Sequence, residues 1–222
     1  MSVESFTRVA DSIARLLSAI VWPAVIVAAI LAFAPDVRKR LSQGGVTVKA
    51  AGVEVTIEKA TQVAAALGAA GAKGETKTSA REVARAVTAA TTAARRGQID
   101  QASVLWVDDH PENNEYERQA MTALGIRFTT AKSTPEALRL LAAQAFDVVI
   151  TDLGRSTQDE DDPKAGLRLL KEMRSRGLNT PLIVYAGARA VEERDQLIES
   201  GALVSTNRPT ELFDAVVKAI VA

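Results

Sequence analysis

The C-terminal half of the chain alternates short apolar runs with segments whose apolar residues recur every three or four positions. The runs are typical of buried strands, and the longer spacing is typical of amphipathic helices. Ser133 followed by Glu136 predicts the start of one helix, because the two residues form a capping box. The predicted strands are SVLWV, IRFTTA, FDVVIT, PLIVYA and ALVST, and the predicted helices fall near 111–124, 133–143, 165–176, 189–200 and 210–222.

Five strands that alternate with five helices predict an α/β domain over residues 102–222. The sheet is expected to be parallel, doubly wound and covered by helices on both faces. In such sheets, sites form beyond the carboxyl ends of the strands, where the order of the strands reverses.

A charge-free run precedes this domain by many residues. Residues 16–35 contain no charged side chain, and twenty helical residues span about 30 Å, the thickness of a bilayer core. The run therefore predicts a transmembrane helix within an N-terminal segment 1–36, with a buried core helix or a cleaved signal peptide as alternatives. The basic residues 38–40 place the N-terminus outside and the rest in the cytoplasm, as in a single-pass protein of the bacterial inner membrane.

Residues 45–58 alternate between apolar and polar side chains, which predicts a β-hairpin within a basic juxtamembrane segment 37–58. An isolated hairpin is marginally stable, so its apolar face needs a partner. We expect a second copy of the chain to cover it, giving a homo-oligomer, with the membrane surface or the C-terminal domain as alternatives. The apolar positions are Val46, Val48, Val53, Val55 and Ile57.

Residues 59–101 are rich in Ala, Gly and Thr. Helices are predicted near 58–67 and 79–96, with a flexible break over 68–78. Few large apolar side chains are present, so neither helix buries much surface alone. The segment is expected to be a helical linker that acts as a spacer. A signalling stalk is the alternative, although no sustained heptad is present.

Charge and composition exclude several classes of function. Residues 1–100 hold 13 basic and 8 acidic side chains, whereas residues 101–222 hold 14 basic and 19 acidic ones. The acidic second part argues against a nucleic-acid partner. The chain has no cysteine, so it has no thiolate nucleophile and no thiolate metal site. His110 is the one histidine, and no G-x-S-x-G motif accompanies it.

Three aspartates stand at predicted strand ends. Asp108 and Asp109 end the first strand, and Asp152 ends the third. Clustered carboxylates repel one another when they lose hydration, so they need a cation or raised pKa values. A site with oxygen ligands and no His or Cys suits Mg²⁺, and the backbone carbonyl of Gly154 is a further candidate ligand.

The segments VLWVDD, FDVVITD, PLIVYAG and GALVSTNRP together resemble a response-regulator receiver domain with a flavodoxin-like fold. The resemblance covers about residues 102–222. It implies that Asp152 is the phosphoacceptor and that Asp108 and Asp109 hold Mg²⁺ with the carbonyl of Gly154. It also implies a histidine kinase or an effector protein as partner, and a signalling module rather than an enzyme.

The chain departs from the family at three positions. Ala186 stands where the family has Ser or Thr, Ser205 where it has a switch aromatic, and Arg208 where it has lysine. These changes leave a second hypothesis open, a degenerate receiver that serves as a docking surface. A phosphatase or nucleotide-processing enzyme is a third. Single residues also allow alternatives: Arg155 faces phosphate or packs against the acidic loop at the surface.

Overall fold

A central sheet and two flanking helical layers make up the computed structural model, which describes residues 51–73, 78–95, 97, 99–156 and 161–222. The strands are β1 (Ser103–Val107), β2 (Arg127–Ala131), β3 (Val148–Thr151), β4 (Arg155–Ser156), β5 (Asp161–Asp162), β6 (Leu182–Tyr185) and β7 (Val204–Thr206). The helices are α1 (Ala51–Lys73), α2 (Ala80–Arg95), α3 (Glu115–Thr122), α4 (Thr134–Ala143), α5 (Ala165–Ser175), α6 (Ala188–Glu192), α7 (Arg194–Glu199) and α8 (Pro209–Val221).

The five predicted strands form one parallel sheet in the order β2-β1-β3-β6-β7. The chain leaves β1 for β2 on one side and then crosses to β3 on the other side of β1. The strand order therefore reverses between β1 and β3, and the carboxyl ends of these two strands border the crevice where ligands bind in such sheets. Strands β4 and β5 form a separate antiparallel pair in the loop after β3.

The middle of the sheet is buried on both faces. Every residue of β3 is buried, and only the first residue of β1 is partly accessible. This burial explains the unbroken apolar runs, since a strand covered on both faces needs apolar side chains on both. The α/β prediction for residues 102–222 is confirmed. The helix predicted over 189–200 is divided into α6 and α7 at Glu193.

The predicted hairpin is wrong for residues 51–58, which begin α1. Three alternating β-branched residues lower helix stability by only a few tenths of a kcal/mol each. They adjoin a long Ala-rich run, and helix propagation adds a hydrogen bond per residue, so the helix extends through them. The first predicted strand, 46–48, lies outside the described residues. Without a second strand, the proposed self-association through the hairpin has no structural basis.

The spacer prediction is also wrong, because α1 and α2 pack on the domain. Residues 56–222 form one compact unit. Helix α2 packs on α8, and α1 lines a groove together with α3. Most of the buried side chains of the two helices are alanine: Ala60, Val63, Ala64, Leu67 and Ala70 of α1 and Val83, Ala86, Ala90 and Ala93 of α2 are buried.

The predicted break over 68–78 is helical as far as Lys73, and residues 74–77 lie outside the described residues. A methyl group on Gly71 would overlap the side chain of Thr78, so glycine lets the chain pass closely here. The predicted transmembrane segment 16–35 also lies outside the described residues. Within the described ranges, no helix has both the length and the apolar character needed to cross a bilayer.

Candidate functional site

The ends of β1 and β3 bring the three predicted aspartates together. Val107 and Thr151 are partners in the sheet, and Asp108 and Asp152 directly follow them. The backbone N–H of Asp152 donates to the carbonyl oxygen of Val107 at 3.2 Å. One carboxylate oxygen from each of Asp108, Asp109 and Asp152 lies within 4.8 Å of the other two. The sequence prediction of a shared acidic cluster therefore agrees with the geometry.

Asp108 is buried and oriented by the turn that follows it. Its Oδ1 accepts a hydrogen bond from the backbone N–H of His110 at 2.8 Å, and its Oδ2 accepts one from the Asn114 side-chain amide at 2.6 Å. A short 3₁₀ turn, Pro111–Asn114, places the amide there. The HPENN sequence thus orients a carboxylate that burial would otherwise destabilise.

Asp109 faces the β4–β5 hairpin. Its Oδ2 accepts a hydrogen bond from the backbone N–H of Ser156 at 2.9 Å. The side chain of His110 is 63% exposed and lies 3.8 Å from the same oxygen. The hairpin therefore contacts the acidic cluster directly, which the sequence did not indicate.

Arg155 is buried, although the sequence allowed a position at the surface. Its side chain is 3% exposed, and its Nη1 donates to Oδ1 of Asp152 at 2.8 Å. The same nitrogen donates to the hydroxyl of Thr151, and Nη2 donates to the hydroxyl of Thr134, both at 2.8 Å. Packing at the surface is therefore excluded, and a buried guanidinium neutralises part of the acidic cluster.

Burial raises the pKa of Asp152 to about 7, because the ionised form loses hydration. The Arg155 guanidinium opposes this shift, and the negative charges of Asp108 and Asp109 add to it. Burial in turn lowers the pKa of Arg155 from its usual value. In the absence of a metal ion, Asp152 thus retains a proton to a higher pH than an exposed aspartate does.

The donor set fits a hard dication. The three carboxylates offer oxygen ligands, and neither imidazole nor thiolate belongs to the cluster. Gly154 lines the same cavity, which has a volume of about 550 Å³. Gly166, which the sequence analysis did not identify, lies against the backbone of Asp152. A Cβ at this position would overlap the carbonyl oxygen of Asp152.

Arg208 lies elsewhere. The structure pairs its guanidinium with Glu82 of α2 instead of with the aspartates, and Arg208 is not among the residues that line the cavity. Glu82 is held in place by a capping box, since its Oε2 accepts from the N–H and hydroxyl of Ser79 at 2.8 and 2.7 Å. The packing of α2 on α8 thus explains why Arg208 turns away.

Ala186 and Ser205 occupy the expected places but bring no group to the acidic cluster. Ala186 lines the cavity with a methyl group. The hydroxyl of Ser205 is buried and donates to the carbonyl oxygen of Ala190 at 2.6 Å. Tyr185 donates to buried Glu117 at 2.7 Å and packs edge-on against Trp106. The side chains of Ser205 and Tyr185 are therefore engaged in contacts within the domain.

Lys73, the last residue of α1, also lines the cavity. Its Nζ donates to the carbonyl oxygen of Asn113 at 2.9 Å. No sequence pattern predicts this contact, because Lys73 stands 35 positions before Asp108 in a segment expected to be a spacer.

Comparison with known proteins agrees with this geometry. The sequence model of the response regulator receiver domain matches residues 104–216. The chain is 30% identical over 113 residues to Sensor histidine kinase RcsC of Salmonella typhimurium and of Escherichia coli. That match covers 51% of this chain and 11% of each relative.

Solved receiver domains are similar as well. The receiver domain of the Francisella response regulator 1452 is 24% identical, with a TM-score of 0.45, and the match covers 55% of this chain and 97% of that one. A response regulator receiver protein from Pseudomonas putida is 28% identical, with a TM-score of 0.45, over 53% of this chain and 97% of that one.

Proposed function

Because the chain belongs to the response regulator receiver domain family, we propose that it accepts a phosphoryl group on Asp152, with Mg²⁺, in phosphorelay signal transduction. The observation that carries the proposal is the approach of three carboxylates to within 4.8 Å at the switch point of the sheet. Asp108, Asp109, Asp152 and the carbonyl oxygen of Gly154 are the groups that would hold the ion.

The residues present support an in-line transfer. One oxygen of the Asp152 carboxylate attacks the phosphorus atom and forms a P–O bond. The bond from phosphorus to the leaving atom breaks, and the leaving group departs with the electron pair. Arg155 holds Oδ1 of Asp152 and so leaves Oδ2 for the attack. Mg²⁺, when bound, neutralises charge on the phosphoryl oxygens.

The donor we propose is a phosphohistidine of a histidine kinase, and the partner is such a kinase or an effector protein. The matched relatives carry the name sensor histidine kinase, which supports a donor of this class. In this role the chain is a signalling module rather than a turnover enzyme, and the acidic surface of residues 101–222 argues against a nucleic-acid partner.

Treatment with acetyl phosphate and Mg²⁺ tests the proposal. We expect the intact mass of the full chain to rise by one phosphoryl group, and we expect no such rise for Asp152→Asn. The control is Asp195→Asn, which removes an exposed carboxylate of α7 and should accept the group as the wild type does. An adduct that persists in Asp152→Asn would contradict the assignment of the acceptor.

Specific observations favour a second candidate, a docking module that is not phosphorylated. Arg155 already neutralises Asp152, and Ala186 offers no hydroxyl to a phosphoryl group. Ser205 is bonded within the domain. Absence of an adduct on the wild type, together with binding of Mg²⁺, would favour this candidate.

We further propose that residues 16–35 anchor the protein in the bacterial inner membrane, with the receiver domain in the cytoplasm. The support is the charge-free run of the sequence alone. Extraction of membranes tests it: the protein should resist carbonate and high salt and dissolve in detergent. Release by carbonate would exclude a spanning anchor.

A further inference from the structure

Phosphorylation adds negative charge to a cavity that already contains three carboxylates. A phosphoryl group at Asp152 therefore needs positive charge or donors beyond those of the metal ion. Ala186 supplies no donor from its side chain, and Arg208 is paired with Glu82. Arg155 is already bonded to three side-chain oxygens. Two N–H donors of Arg155 are left, but its side chain is buried and is not among the residues that line the cavity. A cation that contacts the phosphoryl group from within the cavity therefore comes from another part of the molecule.

Among the residues that line the cavity in the described part of the chain, Lys73 is the one lysine or arginine. Its ammonium group donates to the carbonyl oxygen of Asn113 at 2.9 Å, and the next residue, Asn114, donates to Asp108. An ammonium has three N–H donors, so two remain after this bond. Lys73 thus brings a charge with free donors to the rim of the acidic site.

The packing of α1 fixes this position. Val63, Leu67 and Ala70 of the same helix are fully or almost fully buried, which holds the helix end beside the 3₁₀ turn. The side chain of Lys73 itself is exposed, and the four methylene groups of a lysine let its charge adjust toward a ligand in the cavity. The packed helix keeps Lys73 next to the cavity, and its long side chain allows the ammonium group to contact a ligand bound there.

Helices α1 and α2 determine which basic side chain lies at the cavity. Glu82 of α2 holds Arg208 away from the cavity, whereas α1 ends with Lys73 at its rim. Both contacts come from the segment that packs on the domain. Residues that precede the receiver domain therefore contact both Arg208, through Glu82, and the cavity, through Lys73.

We infer that Lys73 is the phosphoryl-binding cation of this site and bonds a phosphoryl oxygen on Asp152 in place of a lysine from the last strand. The inference rests on the proposed phosphorylation of Asp152. In the group transfer Lys73 exchanges no proton and forms no covalent bond. It stabilises the charge that moves onto the phosphoryl oxygens while the bond to the leaving group breaks.

Binding of beryllofluoride, a phosphoryl mimic, to the full chain at saturating Mg²⁺ tests this role. We expect Lys73→Ala to weaken binding on the order of tenfold, as expected for loss of one charge-assisted hydrogen bond. Lys73→Arg should retain most of the affinity. Lys59→Ala, a change on the same helix away from the cavity, should bind as the wild type does. The affinity for Mg²⁺ alone should not fall in any of them.

The outcomes separate this inference from the proposed function. Wild-type binding that is unchanged in Lys73→Ala would overturn the role of Lys73 and leave Asp152 as the acceptor. Loss of binding in Arg208→Ala, with Lys73→Ala unaffected, would assign the role to Arg208. Failure of the wild type to bind beryllofluoride or to react with acetyl phosphate would overturn both proposals. Equal thermal unfolding midpoints would show that the Lys73 variants are folded.

Discussion

Arg155 changes the electrostatics of the acidic cluster more than any other side chain that bonds it. The guanidinium is buried and satisfies one oxygen of Asp152 together with two hydroxyls. A buried cation next to one ligand reduces the affinity of the cluster for a metal ion, because the two positive charges repel. A bound Mg²⁺ would therefore compete with Arg155 for the same negative charge.

Replacement of Arg155 by Met tests this competition. Without metal, the variant should lose about 3 kcal/mol in free energy of unfolding, since the carboxyl group of Asp152 and the hydroxyls of Thr151 and Thr134 lose their buried partner. At a pH high enough to keep Asp152 ionised, the affinity of the variant for Mg²⁺ should rise roughly tenfold, because the repulsion is gone. Chemical denaturation and calorimetric titration measure the two quantities, and Arg139→Met, at an exposed position of α4, controls for loss of one charge. A weaker affinity for Mg²⁺ in Arg155→Met would contradict the competition.

The raised pKa of Asp152 predicts two effects of pH. The pKa of about 7 in the folded state lies above the usual aspartate value of 3.8, so the folded state binds more protons than the unfolded state between these limits. Stability of the metal-free protein should therefore fall as pH rises from about 4 to 7. Mg²⁺ binds the ionised form, so its affinity should be about tenfold weaker at pH 6 than at pH 8.

Titration with Mg²⁺ at several pH values measures the second effect, and thermal unfolding measures the first. Asp152→Asn is the control, because it lacks the titrating group and should lose this part of both dependences. An affinity for Mg²⁺ that does not change between pH 6 and pH 8 would show that Asp152 is already ionised.

At the scale of elements, the β4–β5 hairpin and the start of α5 support the cluster. The hairpin supplies Arg155 to Asp152 and the N–H of Ser156 to Asp109. Helix α5 begins so close to β3 that Gly166 has no room for a Cβ against the carbonyl oxygen of Asp152. The position of Asp152 thus depends on two elements that follow it in the chain.

Gly166→Ala should move the backbone of Asp152 and destabilise the protein by about 2 kcal/mol, as expected for overpacking at a buried position. The affinity for Mg²⁺ should fall with it, because one ligand is displaced. Gly187→Ala is the matched control for stability, since an added Cβ there meets no atom within 4 Å. Equal unfolding free energies for the two variants would show that the backbone absorbs the methyl group at Gly166.

At the scale of the whole molecule, α2 and the part of α1 from residue 56 onward belong to the folded unit that contains the receiver domain. Their buried faces consist largely of alanine, which lets α2 approach α8 closely. The same packing places Glu82 on Arg208 and Lys73 at the cavity. Any partner that displaced these helices would also change the charges around the acidic site.

Ala90→Asp tests whether α2 contributes to the stability of the unit. Ala90 is fully buried, so a carboxylate there should lower the free energy of unfolding by about 3 kcal/mol. Ala89→Asp places the same charge at the exposed neighbouring position and should have little effect. Thermal unfolding measures both effects. Identical unfolding midpoints for the two variants would show that α2 does not stabilise the unit and acts as a spacer.

The sequence by itself determined the domain between residues 102 and 222 and the meeting of its three aspartates. Strand periodicity is local, and parallel strands bring their carboxyl ends to one edge, so Asp108, Asp109 and Asp152 had to converge. The sequence misled over residues 51–58, where a short alternation adjoins a strong helix former. Tertiary structure overrode the local pattern there, because the helix gains hydrogen bonds and packing along its whole length.

Only the tertiary structure decided which cations serve the acidic site. Arg155, Lys73 and Arg208 are all basic, and nothing in their local sequence distinguishes a buried partner from an exposed one. Their roles depend on where a hairpin folds back and where α1 and α2 pack, which are contacts between distant residues. Charges interact according to their distance in space and not their separation in the chain. Spacing along the sequence therefore could not predict which of the three side chains lies near the acidic site.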